Sequence, residues 1–487
     1  MKKMKKTKII ATLGPSSSTS AKITALIKAG MDIARINLSH GDRKCHTDLI
    51  KNIKSVRKKV GTHTAVLLDT RGPEIRIREM SGALMLIEGR RIELSGKALT
   101  CTADCLGVNH TGFAEDVEPG DRILLDDGKM VLDVEAKAGD TVQARIIVGG
   151  LLTSRKRVSL PGVDVGLPSV SAEDRMDILF GIEQEVDFIA ASFIRKAEDV
   201  LAVREIIASH GGHQGIIAKI ENRQGVDNID EILEVCDGLM VARGDLGVEV
   251  AAEKVPVIQK QLICAANAVG KPVITATQML ESMITSPSPT RAEASDVTNA
   301  VMDGTDAVML SGETAMGKYP VEAVRFLARC TEIAEAAIDY ISLLSNGLRR
   351  NRQVTADAIA YASCAIAADL KAAAILTVTS SGSTARKVAM YRPASPVIAI
   401  SPVVESIRQL QIIRGVIPLL CDGGSTMDQQ IENGIREALA AGLVEVDETL
   451  VITAGLPLHT PGTTNLLRVH TINQQDEVVS SCIQTGS

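Results

Sequence analysis

Eight short apolar runs joined by helix-like connectors, one connector far longer than the rest, and a strand pattern that restarts after about Tyr340 predict an α/β chain. Together they describe a closed (β/α)8 TIM barrel, an inserted small β-barrel lid domain and a C-terminal open α/β domain. The 487 residues, at about 150 per domain, suit three such units. The runs are KIIATLG from Lys8, DIARINLS from Asp32, AVLLDTRG from Ala65, DFIAASF from Asp187, GIIAKIEN from Gly215, GLMVARGD from Gly238, PVITATQ from Pro272 and DAVMLSGE from Asp306. Barrel strands are buried on both faces and so read as continuous apolar stretches. Between the first two, Ser20 opens SAKITALIKAG, whose Ile23, Leu26 and Ile27 form an apolar face before Gly30 ends it. The connector HTDLIKNIKSVRKKVG repeats the pattern with Leu49, Ile53, Val56 and Val60, and Gly61 stops it.

Successive runs are roughly 22 to 35 residues apart, except that Val66 to Phe188 spans 122. The excess holds RILLD, KMVLDVEAK and TVQARIIV, punctuated by turns at Gly120-Asp121, Asp127-Gly128, Gly139-Asp140 and Gly149-Gly150. A small β domain follows, and its place after the third strand makes it a lid on the barrel mouth. The restart reads AAAILTVTSSG, SPVIAIS, GVIPLLC, ETLVITAG and LLRVHTI, alternating with helical stretches such as AIAYASCAIAADL. The expected domains are barrel over 1–72 and 168–346, lid over 73–167, and C-terminal domain over 347–487, with the linker near Gly347 to Gln353.

Composition narrows the function. With 53 basic and 59 acidic residues the net charge is −6, and Trp is absent, so neither a global positive field nor aromatic stacking favours nucleic acid. Nine cysteines without a dense framework suit reduced thiols, and no apolar stretch is long enough to span a membrane, so a cytoplasmic location is expected. Cys101, Cys105 and His110 lack the paired spacing and fourth ligand of a zinc site.

Residues at the C-terminal strand ends of such a barrel share one mouth. Here they are Thr12; Arg35, Asn37, Ser39 and His40; Asp69, Thr70, Arg71 and Arg76; Ser192; Lys219 and Glu221; Arg243 and Asp245; Thr275 and Thr277; Ser311 and Glu313. Cations and carboxylates converging on one point suit a metal and an anionic substrate. Lys219 interrupts the apolar run IIAKI, so its ammonium must be paired, neutral or facing the mouth. Glu221 and Asp245 are hard oxygen ligands suited to Mg²⁺. ARGDLG puts Gly244 and Asp245 at a strand-to-helix turn whose free N–H groups can receive an anion, with Thr277 adding a hydroxyl or bonding its own helix. Arg35 reads as a phosphate clamp or a structural ion pair. Such a set is what phosphoryl transfer requires, since its transition state needs alignment and charge stabilisation. The run Gly312 to Lys318 spells most of a P-loop, but Tyr319 replaces the Mg²⁺-binding hydroxyl. In the last domain, Thr379, Ser380, Ser381, Gly382, Ser383 and Thr384 lie between a strand and a helix, where they could receive a phosphate or simply cap the helix.

ARINLSHG, DTRGPEIR, SLPG, KIEN, MVARGDLG, ITATQMLESM and MLSGETAMGKYP, in order across nearly the whole chain, resemble the pyruvate kinase family. The resemblance implies phosphoryl transfer from phosphoenolpyruvate to ADP, giving pyruvate and ATP, with Mg²⁺ or Mn²⁺ and K⁺ as cofactors. It implies that Lys219 meets the transferring phosphoryl group, with Arg35 as a second contact, and that Glu221 and Asp245 hold Mg²⁺. Gly244, Asp245 and Thr277 resemble the seat of the substrate carboxylate; Thr277, with Ser311 nearby, would help deliver the proton to the enolate. Asn37, Ser39, Asp69 and Thr70 match the monovalent-cation pocket, and Asn37, His40, Arg76 and Lys156 the nucleotide site. Glu74 resembles the K⁺-dependent members and Ile77 the K⁺-independent ones; K⁺ is favoured because the charge of Glu74 must be balanced. SSGSTAR resembles the loop for a phosphorylated allosteric effector, although Ser380 and Ser383 stand where sugar-bisphosphate-responsive members often carry basic residues. Family members are usually homotetramers, and the chain stops near QTGS without the extra C-terminal domain of some bacterial members. Two other readings are a Mg²⁺-dependent carbon–carbon lyase acting on pyruvate or phosphoenolpyruvate, whose barrels lack the lid, and a catalytically silent regulatory scaffold.

Overall fold

The computed structural model describes residues 5–347, 354–457 and 462–476; the expected linker from residue 348 onward and the QTGS end lie outside them. Eight parallel strands close into a barrel: β1 (Lys8–Thr12), β2 (Ile33–Asn37), β3 (Ala65–Asp69), β4 (Phe188–Ala191), β5 (Gly215–Ile220), β6 (Gly238–Ala242), β7 (Val273–Ala276) and β8 (Ala307–Leu310), with β8 pairing back to β1. Alternation along these strands divides the core. Ile10, Ile33, Leu67, Phe188, Ile217, Met240, Ile274 and Met309 fill the interior. Ile9, Ile36, Leu68, Ile189, Ile216, Leu239 and Val308 pack outward against helix residues such as Ile23, Leu26, Ile50 and Ile53.

Because both faces are apolar, the charged residues fix which face is which. Thr12, Arg35, Asp69, Ser192 and Lys219 all carry the inward parity and form a polar layer on top of the apolar interior. A one-residue slip of β5 would push Lys219 among the helices, where an unpaired ion costs several kcal/mol. Thr275 has the outward parity: its hydroxyl donates to Thr305 Oγ1 at 3.0 Å, before the start of β8, so it does not belong to the mouth. Helix ends follow local chemistry. Thr19 caps the helix Ser20–Ala29, Asp42 caps Arg43–Val60, and Gly61 ends the latter at φ 70°.

The lid is a seven-stranded sheet rolled onto itself. Its edge strands, Ile75–Arg76 and Cys105–Gly107, are joined by an Ile77–Val108 bridge and by N–H groups of Arg78 and Asn109 donating to Gly107 O (2.8 Å) and Arg76 O (3.0 Å). Ile92, Leu94, Leu106, Phe113, Leu132 and Val142 fill it. Gly120, Gly128 and Gly139 take positive φ at the expected turns. Gly149-Gly150 is not a turn. The chain continues into the strand Gly150–Leu152, which pairs with Leu84–Leu86. Glycine is required there because a Cβ at Gly149 would lie 2.4 Å from the Leu86 carbonyl oxygen.

The C-terminal sheet runs Val416–Leu420, Val397–Ser401, Ala374–Val378, Thr449–Gly455 and Thr464–Thr471, the last strand antiparallel. It sits under the barrel, whose interior cluster continues into Ala360, Ile375, Leu410 and Val451. Among the described residues no helix is long and apolar enough to cross a membrane.

Candidate active site

Lys219 projects from β5 into the polar layer, its Nζ 2.6 Å from Ser192 Oγ, 2.9 Å from Asp69 Oδ1 and 3.0 Å from Glu221 Oε1. Arg35 Nε donates to Asp69 Oδ2 at 2.6 Å and its Nη1 to Thr12 Oγ1 at 2.8 Å. Burial disfavours the Lys219 ammonium, but Asp69 and Glu221 outweigh that and raise its pKa above the ordinary lysine value. Asp69 is pushed up by burial yet held below its usual range by Arg35 and Lys219. Glu221 is less compensated: burial raises its pKa against the pull of Lys219. Lys219 is therefore both paired and directed at the mouth, and Arg35 forms an ion pair with Asp69 while pointing into the same space.

The strand-to-helix turn after β6 starts the helix Arg243–Glu249. Gly244 N–H donates to Thr277 Oγ1 at 2.9 Å, and that hydroxyl donates to Ala276 O at 2.7 Å, so Thr277 serves this turn and not a helix of its own. Thr277 holds φ +67° and Gln278 +54°, a conformation that is costly for a β-branched residue. Arg243 fixes it from behind, bonding Asp296 at 2.7 and 2.8 Å and the Thr277 carbonyl. Its guanidinium is thereby committed to structure. Ser311 N–H donates to the buried Glu313 at 2.7 Å just past β8.

Asn37, Ser39, Asp69 and Thr70 all lie at the ends of β2 and β3: Asn37 Oδ1 accepts from Ser39 N–H at 3.1 Å, and Thr70 Oγ1 from Ser192 N–H at 3.3 Å. Glu74 accepts from Arg76 Nε at 2.8 Å and lies 3.9 Å from Arg157, so its charge is already balanced by lid arginines. Lys156, one residue from the Arg76–Arg157 register pair, meets Asp126 at 2.8 Å. His40 is exposed in the loop after β2, and among the described residues no hydrogen bond or ion pair ties it to Arg76 or Lys156. In the C-terminal domain Thr379 and Thr384 are buried, and the Thr384 hydroxyl pairs with Thr464 at 2.9 Å. Ser381 is exposed, Ser380 and Ser383 are half-buried, and Gly382 turns the chain at φ 79°.

Two mouth residues were missed by the sequence reading. Arg157, from the lid, reaches down to Asp245 and stacks over the Phe193 ring at 4.8 Å. Phe193, at φ +56°, donates its N–H to Glu221 Oε2 at 2.7 Å and so orients that carboxylate. A non-glycine left-handed residue after a barrel strand was not foreseeable from SFIRK.

Glu221 and Asp245 fit a divalent cation. They present hard carboxylate oxygens at adjacent strand ends, and a guanidinium already occupies Asp245 as a stand-in cation. Among the described residues no group of three or more His, Cys, Asp or Glu is arranged to hold a metal, so two carboxylates with substrate oxygens and water is the arrangement available.

A barrel mouth that gathers a buried lysine, an inward-pointing arginine and carboxylates at adjacent strand ends beneath a β lid has the make-up of a phosphotransferase. Residues 4–324 match the pyruvate kinase barrel domain and 357–470 the pyruvate kinase alpha/beta domain. Pyruvate kinases of Geobacillus stearothermophilus (48% identical), Clostridium acetobutylicum (46%) and Sporosarcina psychrophila (47%) each align over 96% of this chain, covering 81%, 100% and 81% of their own lengths. The chain belongs to the pyruvate kinase family. Its activity is that phosphotransfer, with phosphoenolpyruvate and ADP/ATP as substrates and pyruvate as product. The lyase and silent-scaffold readings are not favoured.

Proposed function

We propose that Lys219 and Arg35 carry the transferring phosphoryl group, with Gly244, Asp245 and Thr277 seating the carboxylate of phosphoenolpyruvate. The observation that carries this is the buried ammonium of Lys219 at the top of the barrel interior, bracketed by Asp69, Ser192 and Glu221. A fixed positive charge aimed at a dry site stabilises developing phosphoryl charge without reorganisation. Thr277, with Ser311 near, helps deliver a proton to the enolate through water once the phosphoryl group has left, its hydroxyl regaining from the water the proton it passes on. Glu221 and Asp245 would hold Mg²⁺ or Mn²⁺, whose contribution when bound is neutralisation of phosphoryl oxygens. Asn37, Ser39, Asp69 and Thr70 would hold K⁺, a reading that rests on their shared place at the β2 and β3 ends. Asn37, His40, Arg76 and Lys156 would meet the nucleotide, the last two from the lid.

We further propose domain limits of 1–72 and 168–346 for the barrel, 73–167 for the lid and 347–487 for the C-terminal unit, supported by the sheet each stretch feeds. The loop Thr379 to Thr384 would take a phosphorylated effector through Ser381 and its neighbours. A cytoplasmic homotetramer remains the expected form. The decisive experiment is pyruvate formation from phosphoenolpyruvate, ADP and Mg²⁺, with and without K⁺ and with a panel of sugar phosphates. Lys219→Met should lower turnover on the order of 10²-fold or more. Wild-type turnover in that variant would remove Lys219 from the chemistry, and equal rates without K⁺ would remove the pocket at β2 and β3.

A further inference from the structure

Arg157 lies on the lid strand Arg157–Ser159, in register with Arg76 of the neighbouring strand, but its guanidinium leaves the lid. Nη1 donates to Asp245 Oδ1 on the barrel, the group stacks on Phe193, and Nε stands 3.9 Å from Glu74. Its side chain is 10% exposed, a position in which an unpaired cation would cost several kcal/mol. Burial alone would depress its pKa, but Asp245, Glu74, Glu221 and Glu249 together hold it above the ordinary arginine value. A cavity of about 90 Å³ lies in the same seam, lined in part by Glu74, Arg157, Phe193 and Glu249.

Among the described residues no other cation forms an ion pair with Asp245. Lys219 is tied to Asp69 and Ser192 as well as Glu221. Arg243 is tied to Asp296. Arg195 is held by Asp199 and the carbonyls of Val165 and Leu167. Without Arg157, the carboxylates of Asp245, Glu221 and Glu249 would repel one another, with Glu221 buried and Asp245 35% exposed; burial and Asp245 already push Glu249 up.

We propose that Arg157 is a positioning residue that serves as resident counter-ion to Asp245, pinning the lid through that carboxylate until a divalent cation takes its oxygen and frees the arginine. The inference rests on the reading of Glu221 and Asp245 as metal ligands. It couples metal occupancy to lid position by direct competition for one carboxylate. The arginine therefore weakens binding of the bare ion and keeps the lid seated without it.

The test uses the full chain and Mn²⁺ alone, with bound ion followed by electron paramagnetic resonance and lid seating by hydrogen exchange of the Arg157–Ser159 amides. Arg157→Gln should bind Mn²⁺ roughly 5- to 10-fold more tightly, as loss of a competing buried charge requires. Its lid strand should exchange faster without metal, to the level the wild type reaches only with Mn²⁺. Arg157→Lys, which keeps the charge but not the fork or the stacking, should fall between. Unchanged or weaker Mn²⁺ binding by a folded Arg157→Gln would overturn the proposal. Glu221→Gln is the separate control, or Asp245→Asn should that buried change unfold the barrel. If wild-type Mn²⁺ affinity survives the control, the ligand assignment itself fails and the proposal falls with it.

Discussion

Thr277 holds a left-handed backbone that costs of the order of 1–3 kcal/mol for a branched residue, and the protein keeps it where its hydroxyl meets the Gly244 amide. The strain is sustained by Arg243, which grips the Thr277 carbonyl and Asp296. Thr277→Ser should therefore keep the hydroxyl, relieve the branching and retain most of the turnover. Thr277→Ala should lose about 10²-fold in kcat, within the range for removing a proton-transfer group, with a smaller change in KM. Equal turnover in the two variants would separate the hydroxyl from the chemistry. At this scale Lys219 was legible because a charge inside IIAKI must be paired, neutral or facing the mouth, and it is both paired and facing the mouth. Arg157 was not, because in RKRVS only Lys156 matches a family position; the docked lid shows that one of the three cations is buried against the barrel.

Elements place these residues through parity and through two linkers. Parity explains why Arg35, Asp69 and Lys219 could be grouped from strand ends alone, and why Thr275, one residue out of phase, was wrongly grouped with them. The linkers required structure to see. Asp174 completes a capping box with Ser171 at the start of the helix Ala172–Glu183, and its Oδ1 also accepts the Gly72 N–H at 2.8 Å. One carboxylate thus ties the chain leaving the barrel for the lid to the chain returning from it. Arg195 holds the return linker from the other side through the carbonyls of Val165 and Leu167. Asp174→Ala should cost about 1–2 kcal/mol, as loss of a cap and a charged hydrogen bond does. Hydrogen exchange at Gly72 should rise locally, while the amides of β5 stay protected. Protection at Gly72 unchanged from the wild type would show that the linker is held without this carboxylate.

The whole molecule depends on a polar seam between the barrel floor and the C-terminal sheet that no motif announced. Lys8 opens β1, yet its Nζ donates to Val416 O at 2.7 Å, and Lys6 donates to Pro393 O at 2.9 Å. Arg392 meets Asp306 at 3.0 Å across the same junction. Nothing in the sequence marks the leading lysines for this role, because sequence periodicity is silent about which end of a barrel another domain covers. Burial, only partly offset by Asp32, pushes Lys8 down from 10.5 to about 8. Between these values the unfolded chain binds a proton that the folded chain does not, so this group makes unfolding harder as pH rises from about 8 to 10.5; below about 8 its cost is present in full. Relative to Lys8→Met, the wild type should accordingly gain on the order of a few kcal/mol across that window. Urea midpoints of the two proteins at pH 7.5 and 10, each as a difference at one pH, give the measurement. A difference that stays constant or shrinks would mean that Lys8 keeps its charge in the seam. The seam would then hold an ammonium across the whole range, donating to Val416 O and balanced by Asp32 at 4.0 Å.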